Sequence, residues 1–300
     1  MSRTSGVVLV DKPAGWTSHD VVAKMRGILR QRRIGHAGTL DPMATGLLVI
    51  AVGPATRLLR FATETEKTYT GTVKLGEATD SLDAEGVVTA TAPIPDLSSS
   101  DAQEIATSFL GAQQQIPPMV SAIKVNGKKL YELAREGKEI ERKPRDIVVT
   151  KFEIRESAQA GSWEFEVTVT PGTYVRVLLA DWAVRAGTVG HLTALRRTAS
   201  GASLVDAAYS IDSLQEAVNK GESVLAAPLE MTKQFPVVIV DEPTVIAIRQ
   251  GKTVALDAPR EVEYLNALDS TGELVAILRP KGDRWQPDVV LAIESTTKDS

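Results

Sequence analysis

Cysteine is absent from the sequence, which excludes disulfide bonds, thiolate zinc sites and cysteine nucleophiles. Long apolar runs are absent as well. The first run, Val7 to Val10, is stopped after four residues by Asp11-Lys12-Pro13, a pattern that does not fit a signal peptide. No stretch approaches the roughly 20 apolar residues that a membrane span needs. We therefore expect a soluble, cytoplasmic protein without a membrane partner.

An excess of positive charge is also missing, since the net charge at pH 7 is −4. That balance argues weakly against a polyanionic partner. The negative excess lies in residues 235–300, however, and the basic residues of the remainder are clustered. Residues 21–40 hold five Lys or Arg and no acid, and residues 121–155 hold ten against six acids. Such clusters are typical of nucleic-acid binding, but on charge alone solvated helix faces explain them about equally well.

One stretch, Gly35 to Gly46, surrounds a single carboxylate with glycine-rich turns. Glycine allows positive φ and the close approach of a ligand, and Pro42 biases Asp41 towards an extended backbone. An apolar run, Leu47 to Val52, follows directly and predicts a buried strand. Asp41 therefore fits either a rigid functional site or a tight structural turn.

Hydrophobic periodicity and turn residues predict a chain of mixed helices and strands. The main expectations are a strand at Gly6–Val10, a helix from Thr17 or Ser18 to about Arg30, a strand at Lys67–Gly76, a helix at Ser98–Gly111, strands at Ile147–Arg155 and Trp163–Thr170, an extended segment carrying Tyr174 and Arg176, a helix at Leu178–Ala186 and a last short strand. Glu77 to Asp83 reads as a polar loop whose acids fit solvated turn positions better than a metal site.

Composition divides the chain into two predicted domains, residues 1–232 and residues 233–294. The second follows a change in composition at Phe235 and holds several short β-like runs. Residues 117–145 are polar, basic and bracketed by prolines, which indicates an excursion from the core of the first domain. Residues 295–300 form a polar tail that we expect to be flexible.

Four separated blocks resemble the TruB-type tRNA pseudouridine synthases. They are Gly6-Val7-Val8-Leu9-Val10-Asp11-Lys12-Pro13-Ala14-Gly15, the Gly35 to Gly46 stretch, Ile116 to Lys124 with Gly127-Lys128-Lys129-Leu130-Tyr131, and Gly172-Thr173-Tyr174-Val175-Arg176. Their order and spacing, together with Lys67-Thr68-Tyr69, fit that family over about residues 6–200. The C-terminal residues match it much less clearly. Ala37 and Pro171 depart mildly from the family pattern.

The resemblance implies an α+β pseudouridine synthase fold: a mixed, mainly antiparallel central sheet flanked by helices, plus a small β-rich PUA-like RNA-binding domain at residues 233–294. It also implies the isomerisation of uridine 55 in the TΨC loop of tRNA to pseudouridine. Because that reaction involves no redox change and no external group, we expect neither a cofactor nor a metal. The target base has to be flipped out of a folded RNA loop. The expected partner is the tRNA T-arm stem-loop, bound by a monomer.

The family's functional positions carry over residue by residue. Asp41 matches the essential aspartate, Arg176 the arginine that pairs with it, and Tyr69 the aromatic that stacks on the flipped base. Tyr174 matches a substrate-contacting tyrosine near the C5 proton. The remaining expected RNA contacts are His36, Leu195, Lys12 and the lysines of a thumb-like RNA-clamping insertion at about residues 117–145, namely Lys124, Lys128 and Lys129.

Two other functions remain open from the residues alone. A non-catalytic tRNA-binding or tRNA-folding protein would use the same basic surfaces but would not need Asp41. A metal-dependent hydrolase would draw its ligands from Asp41, Asp80, Asp83 and His36.

Overall fold

The computed structural model describes residues 4–119, 124, 125, 128, 129 and 140–291. Up to residue 119 the elements are β1 (Gly6–Lys12), α1 (Ser18–Ile28), β2 (Ile34–Ala37), β3 (Thr45–Val52), a 3₁₀ helix (Gly53–Leu58), α2 (Leu59–Thr63), β4 (Lys67–Leu75), β5 (Glu77–Thr79), β6 (Val88–Thr91), α3 (Ser99–Thr107) and β7 (Gly111–Gln115). Two short strands follow, β8 (Lys124–Val125) and β9 (Lys128–Lys129).

The elements from residue 140 onward are β10 (Arg145–Glu156), β11 (Ser162–Val169), α4 (Val175–Arg185), β12 (Gly190–Ser200), β13 (Ser203–Leu204), a 3₁₀ helix (Val205–Ala207), α5 (Ile211–Asn219), a 3₁₀ helix (Pro228–Met231), β14 (Val237–Ile239), α6 (Glu242–Arg249), β15 (Leu265–Leu268), β16 (Leu274–Lys281) and β17 (Arg284–Val290). The chain forms two compact units, residues 1–42, 46–64 and 202–300 in the first and residues 43–45 and 65–201 in the second.

In the first unit, β3 pairs antiparallel with both β1 and β2. Its apolar run is buried on both faces, as expected of a central strand. Leu47, Val49 and Ala51 join one apolar cluster, while Leu48 and Ile50 join a second cluster with the buried side of α1. The two faces of one strand therefore divide the core of this unit.

Thr17, one of the two predicted cap residues, is the N-cap of helix α1. The Thr17 hydroxyl accepts from the Asp20 backbone N–H, and the Asp20 carboxylate accepts from the Thr17 backbone N–H at 2.8 Å. This reciprocal capping box satisfies backbone donors that the helix itself leaves unpaired. The helix therefore has a fixed start, and its first turn carries His19 on an exposed position.

The second unit is built on five antiparallel strands in the order β12-β4-β11-β10-β7. Helix α3 packs against β10 and helix α4 against β12. Trp182 of α4 is fully buried and donates its indole N–H to the carbonyl of Ala102 in α3 at 3.2 Å. This bond satisfies the one polar atom of a large core side chain and links the two helices.

The C-terminal strands form a separate sheet of order β14-β15-β16-β17, covered by α6. Only the β14–β15 pair of that sheet is parallel. Its core contains the fully buried Trp285 and Ile248. The structure thus confirms the α+β class, with a mainly antiparallel sheet, flanking helices and a small C-terminal β sheet. The domain boundary at residue 232 stays a prediction.

Three sequence predictions about local structure are wrong. Residues 77–83 are not a solvated loop, because Thr79, Ser81 and Asp83 are buried and β5 pairs with β6. The helix predicted to reach Gly111 ends at Thr107, and Gly111, at φ 95°, starts strand β7. Arg176 lies in the first turn of α4 and not on extended backbone.

Among the described residues, no helix is long and apolar enough to cross a bilayer.

Candidate active site

The loop that carries Asp41 is held by hydrogen bonds on both sides of the acid. The buried Ser18 hydroxyl accepts from the Leu40 N–H at 2.9 Å and lies 3.3 Å from the Leu40 carbonyl. On the other side, the Pro42 carbonyl accepts from the Gly15 N–H at 2.9 Å. Asp41 itself is half-buried. Its backbone is therefore fixed by contacts of its two neighbours.

Lys12 supplies a further contact to this loop. Its side chain is fully buried, and its ammonium donates to the carbonyls of Pro13, Trp16 and Pro42 at 3.0, 2.6 and 3.1 Å. Three carbonyl acceptors match the three donors of a lysine ammonium. These contacts favour support of the Asp41 loop over the direct RNA contact that the sequence predicted for Lys12.

His36 lies half-buried on β2, four positions before the Leu40 anchor. Its ring meets the ring of His19 edge to face, with centroids 5.6 Å apart and planes at 81°. His19 is exposed on the first turn of α1. His36 and Asp41 therefore lie on strand β2 and the loop after it, and Lys12 of β1 contacts that loop at the Pro42 carbonyl.

In the second unit, β4 and β12 hold Tyr69 and Leu195 on one face of the sheet. Tyr69 is opposite Arg197, and Leu195 is opposite Gly71, so Leu195 and Tyr69 are diagonal cross-strand neighbours. Both side chains are buried. An added Cβ at Gly71 would lie 2.2 Å from the Ala194 carbonyl, so glycine is required where β12 bulges against β4.

Two buried cations accompany Tyr69. Arg197 is 1% exposed, and Lys67 lies two residues before Tyr69 on β4. The Lys67 ammonium donates to the Thr65 carbonyl at 2.5 Å. Burial, and secondarily the charge of Arg197, lower the pKa of Lys67 to about 8.

Arg176 is buried at the start of α4 in an ion pair with Asp83. One terminal nitrogen lies 3.3 Å from an Asp83 carboxylate oxygen and donates to the Ser81 carbonyl at 2.5 Å. The other Asp83 oxygen accepts from the Ser81 hydroxyl at 2.5 Å and from the Glu85 N–H at 3.1 Å. The predicted pairing of Arg176 with Asp41 stays a prediction.

Tyr174 is the residue that precedes α4, with extended dihedrals. The Gln115 side-chain amide clamps its backbone: Tyr174 N–H donates to Gln115 Oε1 at 2.8 Å, and Gln115 Nε2 donates to the Tyr174 carbonyl at 3.1 Å. Gln115 is buried on β7. Sequence reasoning missed Gln115 and considered Asp83 only as a solvated turn residue or a metal ligand, because the burial and long-range partners of both residues leave no local pattern.

The thumb lysines are described only in part. Strands β8 and β9 pair Lys124 with Lys129 and Val125 with Lys128. The side chains of Lys124, Lys128 and Lys129 lie outside the described part of the structure, so their predicted RNA contact stays a prediction.

The fold matches that of a chain in a solved protein complex. A chain in the crystal structure of a Cbf5-Nop10-Gar1 complex superposes with a TM-score of 0.73 at 24% identity, covering 96% of this chain and 85% of that chain. At this identity the match establishes a common fold. Together with the family match that follows, it confirms the pseudouridine synthase fold expected from the sequence.

Sequence relatives give the family. Residues 26–175 match the N-terminal domain of the TruB family pseudouridylate synthases. A tRNA pseudouridine synthase B of Streptococcus thermophilus is 40% identical over 96% of this chain and 99% of its own length. One from Cutibacterium acnes is 43% identical over 93% and 95%. The chain belongs to the TruB family of pseudouridylate synthases.

Proposed function

We propose that this protein isomerises uridine 55 in the TΨC loop of tRNA to pseudouridine. Family membership supports the reaction class. The substrate class is supported by relatives that match over nearly their whole length and are named tRNA pseudouridine synthase B. The single structural observation that carries the proposal is the fixed loop around Asp41, because a base-flipping isomerase needs one immobile carboxylate at its substrate.

The reaction breaks the N1–C1′ bond of one uridine, turns the base and joins C5 to C1′. The C5 proton leaves to solvent and N1 gains a proton, so the product is an isomer of the substrate. Asp41 either attacks C1′ or accepts a proton from the sugar. Both roles require an ionised carboxylate held in one position. The contacts of Leu40 and Pro42 fix the backbone that carries it.

The buried face formed by Tyr69 and Leu195 suits a flipped base. An aromatic ring offers a stacking surface that replaces the stacking lost from the RNA loop. Leu195, diagonal to Tyr69 on the neighbouring strand, adds an apolar contact that keeps water away. Tyr174 is proposed to handle the C5 proton, and the Gln115 clamp holds its backbone.

We assign Asp83 the role of positioning Arg176. A buried guanidinium needs a counter-charge, and Asp83 supplies it while Ser81 and Glu85 fix the carboxylate in turn. Asp83 thereby fixes the orientation of Arg176, the residue that the family resemblance implies pairs with the catalytic aspartate. Asp83 acts through Arg176 and does not touch the substrate.

The partner is proposed to be the T-arm stem-loop of tRNA, bound by a cytoplasmic monomer. The predicted domain at residues 233–294, which contains the C-terminal sheet, is proposed to be a PUA-like RNA-binding domain. The predicted thumb at about residues 117–145 is proposed to clamp the stem-loop.

Release of a label from C5 tests the proposal. A T-arm stem-loop carrying tritium at C5 of the target uridine should lose the label to water when the protein is added. A second stem-loop, labelled only at its other uridines and carrying cytidine at the target position, should lose none. Equal release from both RNAs, or release from neither, would contradict the assignment of uridine 55.

A further inference from the structure

A cluster of five cations at the end of α1 is not used by the chemistry above. We call it the basic turn, and it consists of Lys24, Arg26, Arg30, Arg32 and Arg33. All five side chains are exposed. Within the described part of the chain, none of the five forms an ion pair with a carboxylate. Five uncompensated cations within ten residues repel one another, so a surface without a function for them would be expected to intersperse acids.

The backbone of the basic turn gives a second reason to assign it a function. Helix α1 ends in a Schellman motif, in which the Gln31 N–H donates to the Arg26 carbonyl at 3.3 Å and Leu29 is the C-cap. The next residue in such a motif has left-handed backbone and is usually glycine. Here it is Arg30, at φ 49°. An arginine in this position is strained relative to glycine, which is understandable if its side chain is needed.

Two guanidinium groups of the turn are already oriented. Arg26 Nε donates to the Arg32 carbonyl at 3.1 Å, and Arg33 Nε donates to the Thr56 hydroxyl at 2.8 Å. Neither bond uses a terminal amino group, and within the described residues those amino groups of Arg26 and Arg33 have no hydrogen-bond partner. A guanidinium fixed through Nε presents its two terminal amino groups as a fork, which matches two phosphate oxygens.

The turn adjoins the residue that the family resemblance implicates in RNA binding. Strand β2 runs on from the turn to His36, which lies three residues after Arg33. At about 3.3 Å per strand residue, the two backbone positions are roughly 10 Å apart. An RNA loop held at His36 would therefore bring its adjoining backbone close to the turn.

We propose that the basic turn binds the phosphate backbone of the substrate RNA where it flanks the loop held at His36. The inference rests on the proposed function, since it takes the T-arm stem-loop as the RNA. The turn contacts phosphates and reads no bases, so it contributes affinity and orientation, and no sequence selectivity.

Salt-dependent binding of the T-arm stem-loop tests the proposal. Each phosphate contact contributes about 0.7–0.9 to the slope of log affinity against log salt. Loss of one contact should therefore weaken binding about five- to eightfold at about 0.1 M salt. Arg32→Gln and Arg30→Gly should each lose one such contact. Arg30→Gly is informative because glycine suits the backbone, so its melting temperature should not fall below that of the wild type.

Arg155→Gln is the matched control, because the exposed Arg155 is paired with Glu164 at 2.7 Å. It should leave affinity and slope unchanged. The proposal is overturned if Arg30→Gly and Arg32→Gln bind the stem-loop within twofold of wild type at every salt concentration. The binding assay needs no turnover. Failure of the wild type to form pseudouridine would therefore refute the proposed function, and the binding of the stem-loop by the variants could still be compared.

Discussion

Replacing Asp83 by asparagine removes the negative partner of a buried arginine while keeping the shape of the side chain. The side chains of Arg176 and Asp83 are only 3% and 6% exposed, so water cannot take over the lost interaction. Removing one partner of a buried ion pair typically costs about 3–5 kcal/mol. Because asparagine retains an acceptor for the Ser81 hydroxyl, we expect the lower end, about 3 kcal/mol.

For a chain of this size each kcal/mol corresponds to about 2–4 °C, so the melting temperature of Asp83→Asn should fall by about 6–12 °C. Thermal unfolding followed by circular dichroism measures this shift. Pseudouridine formation, assayed well below the melting transition, should fall at least tenfold because Arg176 loses its orientation.

Glu164→Gln provides the comparison, since it breaks the exposed Arg155–Glu164 pair, whose side chains are 80% and 44% exposed. That change should cost less than about 1 kcal/mol. The double variant Asp83→Asn with Arg176→Gln should be less destabilised than the sum of the two single variants. A melting temperature for Asp83→Asn within about 2 °C of wild type would show that the buried ion pair does not stabilise the fold.

Two further changes test the supports of the candidate site. Lys12→Met removes the ammonium that donates to three carbonyls. The free energy of unfolding, measured in urea, should therefore fall by about 2–3 kcal/mol, and turnover should drop with little change in RNA affinity. Unchanged turnover would show that Lys12 does not support the Asp41 loop. The folded-state pKa of Lys67, about 8, lies below its ordinary value of 10.5. Between about pH 8 and pH 10.5 the unfolded chain binds more protons at Lys67 than the folded chain does. Lys67 therefore makes the free energy of unfolding rise with pH from about 8 to 10.5. Lys67→Met should flatten the plot of unfolding free energy against pH between about 8 and 10.5. The same pH dependence in wild type and variant would contradict the lowered pKa of Lys67.

Local signals in the sequence predicted much of the fold. The Thr17 cap, the buried strand after Asp41 and the alternation of Lys67–Leu75 all depend on neighbouring residues, and the structure confirms each of them. Strand β7 was missed because Gly111–Gln115 holds no β-branched or aromatic residue, and only its pairing with β10 makes it a strand.

Only the site residues that lie within sequence motifs could be predicted. The position of Asp41 follows from its glycine-rich stretch and from the family resemblance. The ion pair between Asp83 and Arg176 joins residues 93 positions apart, and Gln115 meets Tyr174 across 59. Burial of an acid such as Asp83 depends on these distant partners, which leave no local pattern in composition or periodicity.

We propose that Asp41 is the catalytic residue of a tRNA pseudouridine synthase. Mapping pseudouridine at position 55 of full-length tRNA tests it most directly, with Asp41→Asn compared against wild type and against Asp96→Asn, which changes an exposed aspartate. We expect conversion of uridine 55 by wild type and by Asp96→Asn, none by Asp41→Asn, and tRNA affinities of all three proteins within about tenfold of one another. Conversion of uridine 55 by Asp41→Asn would contradict it, and the absence of conversion by every protein, with binding intact, would favour a tRNA-binding protein without catalysis.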